Sequence, residues 1–148
     1  AGMATNPAGG IRTAYRQITT PYLNWQRIQM NNIIRSSGGL VYSGNSTDGR
    51  DIQLTEGLWN IQFNLIVSGG SSSYEIGHGY GGNQPTESTS NVTFTGYAAG
   101  SANNSYLLDF GTSPTTMDIG LWIRRVTNDN NTTFTVHRGY LDAFRVSL

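Results

Sequence analysis

Between Trp59 and Val67 the chain alternates: Trp59, Ile61, Phe63, Leu65 and Val67 are apolar, and Asn60, Gln62 and Asn64 lie between them. A period of two is that of a β-strand with one buried and one wetter face. Leu58 and Ile66 interrupt the polar face at its ends, so that face is expected to meet protein there too, between the sheets of a sandwich or across a subunit contact. Gly57 opens the strand as a bend or bulge. Ile52 and Leu54 lead into it from a loop, Ser43 to Arg50, that ends in the hairpin-type pair Asp48-Gly49. The same alternation recurs in Tyr74, Ile76, His78 and Tyr80, and strand-like runs follow at Val92 to Tyr97, Tyr106 to Phe110, Met117 to Val126 and Thr133 to Val146. Turn-rich stretches separate them, at Gly69 to Ser73, Gly81 to Ser90, Gly100 to Asn104, Gly111 to Pro114 and Thr127 to Asn131.

Before Tyr42 the pattern is weaker. Ile11 to Ile18 reads as a short strand with Arg12 and Arg16 on one face. In Tyr22 to Met30, Leu23 and Trp25 share one parity and Ile28 and Met30 the other, which predicts a strand bulged near Gln26, a short amphipathic helix being the alternative. Residues 1 to 10 are small and broken by Pro7 and Gly9-Gly10, so residues 1–21 are expected to be an extended arm and 22–148 the folded domain. Roughly eight to ten short strands with frequent turns predict an all-β antiparallel sandwich or jelly roll.

Composition narrows the function more than the fold. At 148 residues the chain is one domain's worth and large enough to bury a core. Hydrophobic residues are 36% and charged residues 12%, leaving Gly, Ser, Thr and Asn to fill a chain of short strands and turns. The nine basic residues are all Arg and balance nine acids, so no field draws in nucleic acid or an anionic membrane. The adjacent pair Arg124-Arg125 lies in a strand-like run and must face both ways. Low charge density suits a protein that works assembled. Without Cys there is neither a disulfide framework nor a thiolate site. The N-terminal residues lack the pattern of a leader and no run has membrane-spanning length, so the protein is expected either to be used without secretion or to have lost its leader.

Catalytic signals are weak. His78 and His137 lie far apart, each expected to be a hydrogen-bonded or solvent-facing strand residue, with His78 the more exposable between Gly77 and Gly79. Gly77-x-Gly79-x-Gly81-Gly82 lacks the Lys-Ser or Lys-Thr of a phosphate loop, and no Gly-x-Ser-x-Gly elbow occurs. Asp48, Asp51, Glu56, Asp109, Asp118, Asp129 and Asp142 are scattered, and Asn128 to Asn131 reads as a turn rather than a calcium loop. No enzyme activity, cofactor or metal is therefore expected. Tyr15, Tyr22, Trp25, Tyr74, Tyr80, Tyr97 and Tyr106 either line subunit contacts or fill a core with hydroxyls at its rim.

The order Tyr42, Asp48-Gly49-Arg50, Leu54, Gly57-Leu58-Trp59 and Phe63, closing with Thr133-Phe134 and Gly139-Tyr140-Leu141, resembles the globular heads of the first complement component and their tumour-necrosis-factor-like relatives. The family's Gly-Asp before its penultimate strands and its collagen-like stalk have no counterpart, and the chain runs on from Asp142 to Leu148. The resemblance implies a ten-stranded jelly roll and a homotrimer whose inner-sheet aromatics meet along the axis. Trp59, Phe63, Tyr106, Trp122, Phe134, Tyr140 and Phe144 are the candidates, each either core or trimer interface. The same trimeric jelly roll occurs in bacteriophage capsid decoration proteins and in fibre heads. The resemblance thus implies a non-enzymatic virion protein on the capsid surface, cementing the major capsid protein through Asn6, Pro7, Ile11, Arg12, Tyr15 and Arg16 of the arm. The alternative is a receptor-binding head of a viral fibre that takes a host glycan or protein on the loops Gly81 to Ser90 and Gly100 to Asn104.

Overall fold

Alternation along the chain becomes pairing between strands. The computed structural model describes residues 6–69, 72–85, 92–97, 100–112, 116–129 and 133–147. Over these the strands are β1 (Ala8–Thr13), β2 (Arg16–Thr19), β3 (Trp25–Arg27), β4 (Asn32–Ser37), β5 (Val41–Asn45), β6 (Gly49–Leu54), β7 (Leu58–Ser68), β8 (Ser73–Tyr80), β9 (Val92–Tyr97), β10 (Gly100–Asp109), β11 (Met117–Arg125) and β12 (Thr133–Ser147). Two six-stranded sheets result, one ordered β10-β7-β12-β1-β4 with β2 beside β12, the other β5-β6-β11-β8-β9 with β3 beside β11. The pairings between these strands are all antiparallel. The protein is an all-β sandwich, a jelly roll whose ten strands lie on the two main paths, with two short strands added at their sides.

Strand β7 is the centre of the first sheet, paired with β10 and β12 along its length. Trp59, Ile61, Phe63, Leu65 and Val67 are all buried against Ile119, Leu121 and Ile123 of β11 and Tyr74 and Ile76 of β8. Burying each such side chain contributes about 1.5 to 3 kcal/mol. Trp59 Nε1 donates to Thr55 O at 3.0 Å, so the indole meets no unpaired polar cost. Gly57 does form a bend: its φ is +109°, and a Cβ there would lie 2.4 Å from Ser147 O. The Asp48-Gly49 turn closes the β5–β6 hairpin, with Asn45 Oδ1 accepting from the Thr47 and Asp48 N–H groups.

Several expectations are corrected. The stretch read as an extended arm carries β1, inserted between β12 and β4, with Ile11 fully buried opposite Leu141. Gly9-Gly10 hide the first half of this strand from a hydrophobicity pattern, and the strand expected over Ile11 to Ile18 is two strands, β1 and β2, broken at Ala14 and Tyr15. Gly100 to Asn104 is not a loop but the first half of β10, placing Ala102 against Leu65 in the core. Tyr22 to Met30 holds only the three-residue β3, after which Ile28 and Met30 are buried and Ile28 N donates to Leu121 O. Of the long loop Gly81 to Ser90, residues 86–90 lie outside the described ones.

One irregularity decides what faces outward. In β12, Val136 pairs with Val67 but Arg138 with Ile66, so His137 is an extra, bulged residue. The bulge switches parity: Phe134 and Val136 point inward before it, Leu141 and Ala143 after it, and Arg138, Tyr140 and Phe144 are left on the other side.

Candidate binding face

The side of the first sheet turned away from the core is a graded surface. Register places Leu107, Asn60, Phe144 and Ala8 in one row across β10, β7, β12 and β1. Leu107 and Phe144 are 57% and 40% exposed, so this row presents large apolar side chains to solvent. A second row, nearer the bulge, holds Asn103, Asn64, Tyr140, Arg12 and Asn32. Two hollows flank Asn64 and Tyr140. One, of about 590 Å³, is lined by Arg12, Arg138, Asn32, Asn64, Ile66 and Tyr140 among others. The other, of about 430 Å³, lies toward β10 between Asn64, Asn103 and Ser105. The Asn64 Oδ1 atom is shielded from solvent and has no hydrogen-bond partner among the described residues.

The aromatic candidates separate into three groups. Trp59, Phe63 and Phe134 are core, with Phe134 edge-on to Tyr74 at 5.4 Å and beneath the Arg125 guanidinium at 4.3 Å. Tyr106 is half-buried and bonded across the sandwich to His78, while Trp122 lies half-buried on the outer side of the second sheet, against Gly79. Only Tyr140 and Phe144 stand on the graded face. Trp25 is covered by Arg124, whose guanidinium lies 4.8 Å above the ring and pairs with Glu75 at 3.0 Å.

The arm candidates are dispersed too. Asn6 is exposed, and Pro7 O accepts from Arg145 N at 2.9 Å. Arg16 is spent on local structure, its guanidinium donating to Gln29 Oε1, Asn31 Oδ1 and Thr13 Oγ1. Tyr15 is exposed and rests edge-on against His137 at 5.7 Å. Ile11 is core and Arg12 belongs to the graded face. Asn6, Pro7, Ile11, Arg12, Tyr15 and Arg16 therefore do not form one detachable dock.

His78 is buried, not exposed by its flanking glycines, and desolvation pushes its pKa down to about 4. Its Nδ1 lies 3.0 Å from the Tyr106 hydroxyl, and Nε2 has no partner among the described residues. His137 is exposed and bonds Ser68 Oγ at 2.9 Å. Asp51, beside Arg27, has its pKa raised by burial, which outweighs the lowering by that guanidinium. Among the described residues, no group of three or more His, Cys, Asp or Glu is placed to hold a metal, and no helix is long and apolar enough to cross a membrane.

Sequence reasoning missed Leu107, Asn64, Asn32 and Arg138 as surface-site residues. A usable signal existed for Arg138: the parity change from Phe134 and Val136 to Leu141 and Ala143 requires a bulge between them. Leu107 interrupts the polar parity of its strand as Leu58 and Ile66 do in theirs.

No protein-family model matches this chain, and no curated protein sequence does. Solved structures do match in fold. The globular domain of zebrafish complement 1qA protein superposes with a TM-score of 0.52 at 11% identity, covering 96% of this chain and 98% of that one. The Eiger TNF from S. frugiperda gives 0.58 at 6% identity, covering 96% and 93%. Murine APRIL gives 0.51 at 12%, covering 93% and 98%. The chain has the jelly-roll fold of the tumour-necrosis-factor and complement globular domains, and at these identities the likeness is one of fold.

Proposed function

We propose that the protein is a non-enzymatic homotrimer that decorates a viral shell by binding its major capsid protein. The observation that carries the assembly is the row Leu107, Asn60, Phe144: exposed apolar side chains on an outward sheet face, bordered by amides, suit contact with further copies of the chain. The fold of the matched globular domains supports the same reading. The low charge density that leaves a free domain poorly protected from association fits a protein permanently assembled. A non-enzymatic role is supported by the likeness of fold to the complement and tumour-necrosis-factor globular domains.

With β1 built into the sheet, capsid docking is assigned to Tyr15, Tyr22 and Leu23, exposed on the turns that follow β1 and β2. Capsids stripped of this protein are mixed with wild-type chain or with the Tyr15→Ser, Tyr22→Ser, Leu23→Ser triple variant and sedimented. Wild-type protein should co-sediment and the variant should stay in solution; equal binding would remove the turns from the dock, and absence of wild-type binding would remove the capsid reading. A second reading, a receptor-binding head, is favoured by the arginine-lined hollow, which is a binding site in form and is not needed for cementing.

A further inference from the structure

We propose that the hollow between Arg12 and Arg138 binds an acidic sugar, a pyranose carrying a carboxylate. The proposal rests on the binding-head reading for its purpose, but not on the number of chains in the assembly.

The volume, about 590 Å³, suits a small ligand rather than a polypeptide segment. Its charge is unbalanced. Arg12 and Arg138 are both exposed, and among the described residues neither guanidinium has an ion-pair or hydrogen-bond partner. Among the described residues, no carboxylate lines the hollow. Asp142, on the same face of β12, folds over Gly10 instead, where a Cβ would lie 1.8 Å from its Oδ1. A guanidinium presents paired N–H donors that match a carboxylate, so the hollow selects an anion with planar oxygens.

The remaining lining selects what carries that anion. Asn32 and Asn64 supply amides able both to donate and to accept, which suits hydroxyl groups. Among the described residues the Asn64 Oδ1 atom has no donor, an uncompensated cost that a ligand hydroxyl removes once the terminal amide torsion turns it toward the hollow. Tyr140 and Ile66 provide an aromatic and an aliphatic wall for the C–H face of a sugar ring. Inorganic phosphate would use the arginines but leave the amides and the apolar wall idle. The site exists because of the bulge at His137, which turns Arg138 and Tyr140 outward beside Ile66 and Asn64.

The test uses the full-length protein at low salt, with D-glucuronate as probe and D-glucose, acetate and inorganic phosphate as controls. Side-chain amide resonances of Asn32 and Asn64 are followed by NMR. Saturable shifts with glucuronate are expected, at least tenfold weaker binding of acetate, no saturation with glucose, and at least tenfold loss in Arg12→Gln or Arg138→Gln. Both arginines are exposed, so folding of each variant is checked by its unchanged backbone spectrum. Equal binding of glucose, of acetate, or tighter binding of phosphate would overturn the assignment, as would the absence of any saturable shift. Light scattering on the same samples separates the two ideas: a monomer that binds glucuronate defeats the trimer, and a trimer that does not bind it defeats only this site.

Discussion

The Tyr106 hydroxyl on one sheet lies 3.0 Å from His78 Nδ1 on the other, and the two rings stack 5.4 Å apart. This is a polar tie inside the sandwich, and burial makes it sensitive to protons. The His78 pKa falls from the ordinary 6.5 to about 4 on folding. Above 6.5 the ring is neutral in both states and its contribution is complete. As pH falls from there toward 4, only the unfolded chain takes the proton, so up to roughly 3 kcal/mol is lost. Urea unfolding at pH 7 and pH 5 should show lower stability at pH 5, and His78→Gln should flatten that difference. Comparing the two proteins cancels Asp51, whose raised pKa acts with the opposite sign. An equal pH dependence in wild type and His78→Gln would contradict the assignment.

Deleting residues 1–13 should abolish cooperative folding. The deletion removes β1, which bridges β12 and β4, exposes two strand edges and empties the site of Ile11. Circular dichroism on heating should show no sharp transition. A truncated chain that melts cooperatively near the wild-type temperature would mean that β1 is dispensable.

Trp59→Ala should cost about 3 to 5 kcal/mol, the scale for emptying the site of a buried large aromatic. The indole is fully buried, and its bond to Thr55 O leaves with it. The midpoint of a denaturant titration at unchanged slope measures this, and a loss under about 1 kcal/mol would displace β7 from the centre of the core.

Leu23 occupies a position made for glycine. Asn24 N donates to Pro21 O at 3.0 Å, and Leu23, third in that turn, has φ +59°. The left-handed conformation costs an L-residue about 1 to 2 kcal/mol, of which glycine's greater unfolded entropy cancels part. Leu23 is half-exposed, so little burial is lost by removing it. Leu23→Gly should therefore raise stability by up to about 1 kcal/mol, read as a higher melting temperature. A clear decrease would show that the exposed leucine packs usefully in the isolated protein.

The strands legible in the sequence were those with one apolar and one polar face. β7 was unmistakable because every second residue from Trp59 to Val67 is apolar, and the jelly roll followed from its neighbours. β1 and β4 were not legible as parts of the sheet. Gly9-Gly10 leaves β1 almost no apolar signal, and Ile33 and Ile34 of β4 are adjacent and both 43% exposed, which matches no alternation. The first half of β10 is Gly, Ser, Ala, Asn, Asn, a composition of loops that pairing with β7 makes a strand. The graded face escaped for a different reason: Arg12, Asn64 and Arg138 are far apart in sequence and are brought together only by register and by the bulge at His137.

The most direct measurement is the mass of the native particle by multi-angle light scattering, for wild type and for Leu107→Glu with Phe144→Glu. Wild-type protein at micromolar concentration should scatter as three 16.1 kDa chains, and the double variant, with a charge in place of each large apolar side chain of the row, as a folded single chain. A stable wild-type monomer, or a trimer untouched by both glutamates, would contradict the assembly through this face.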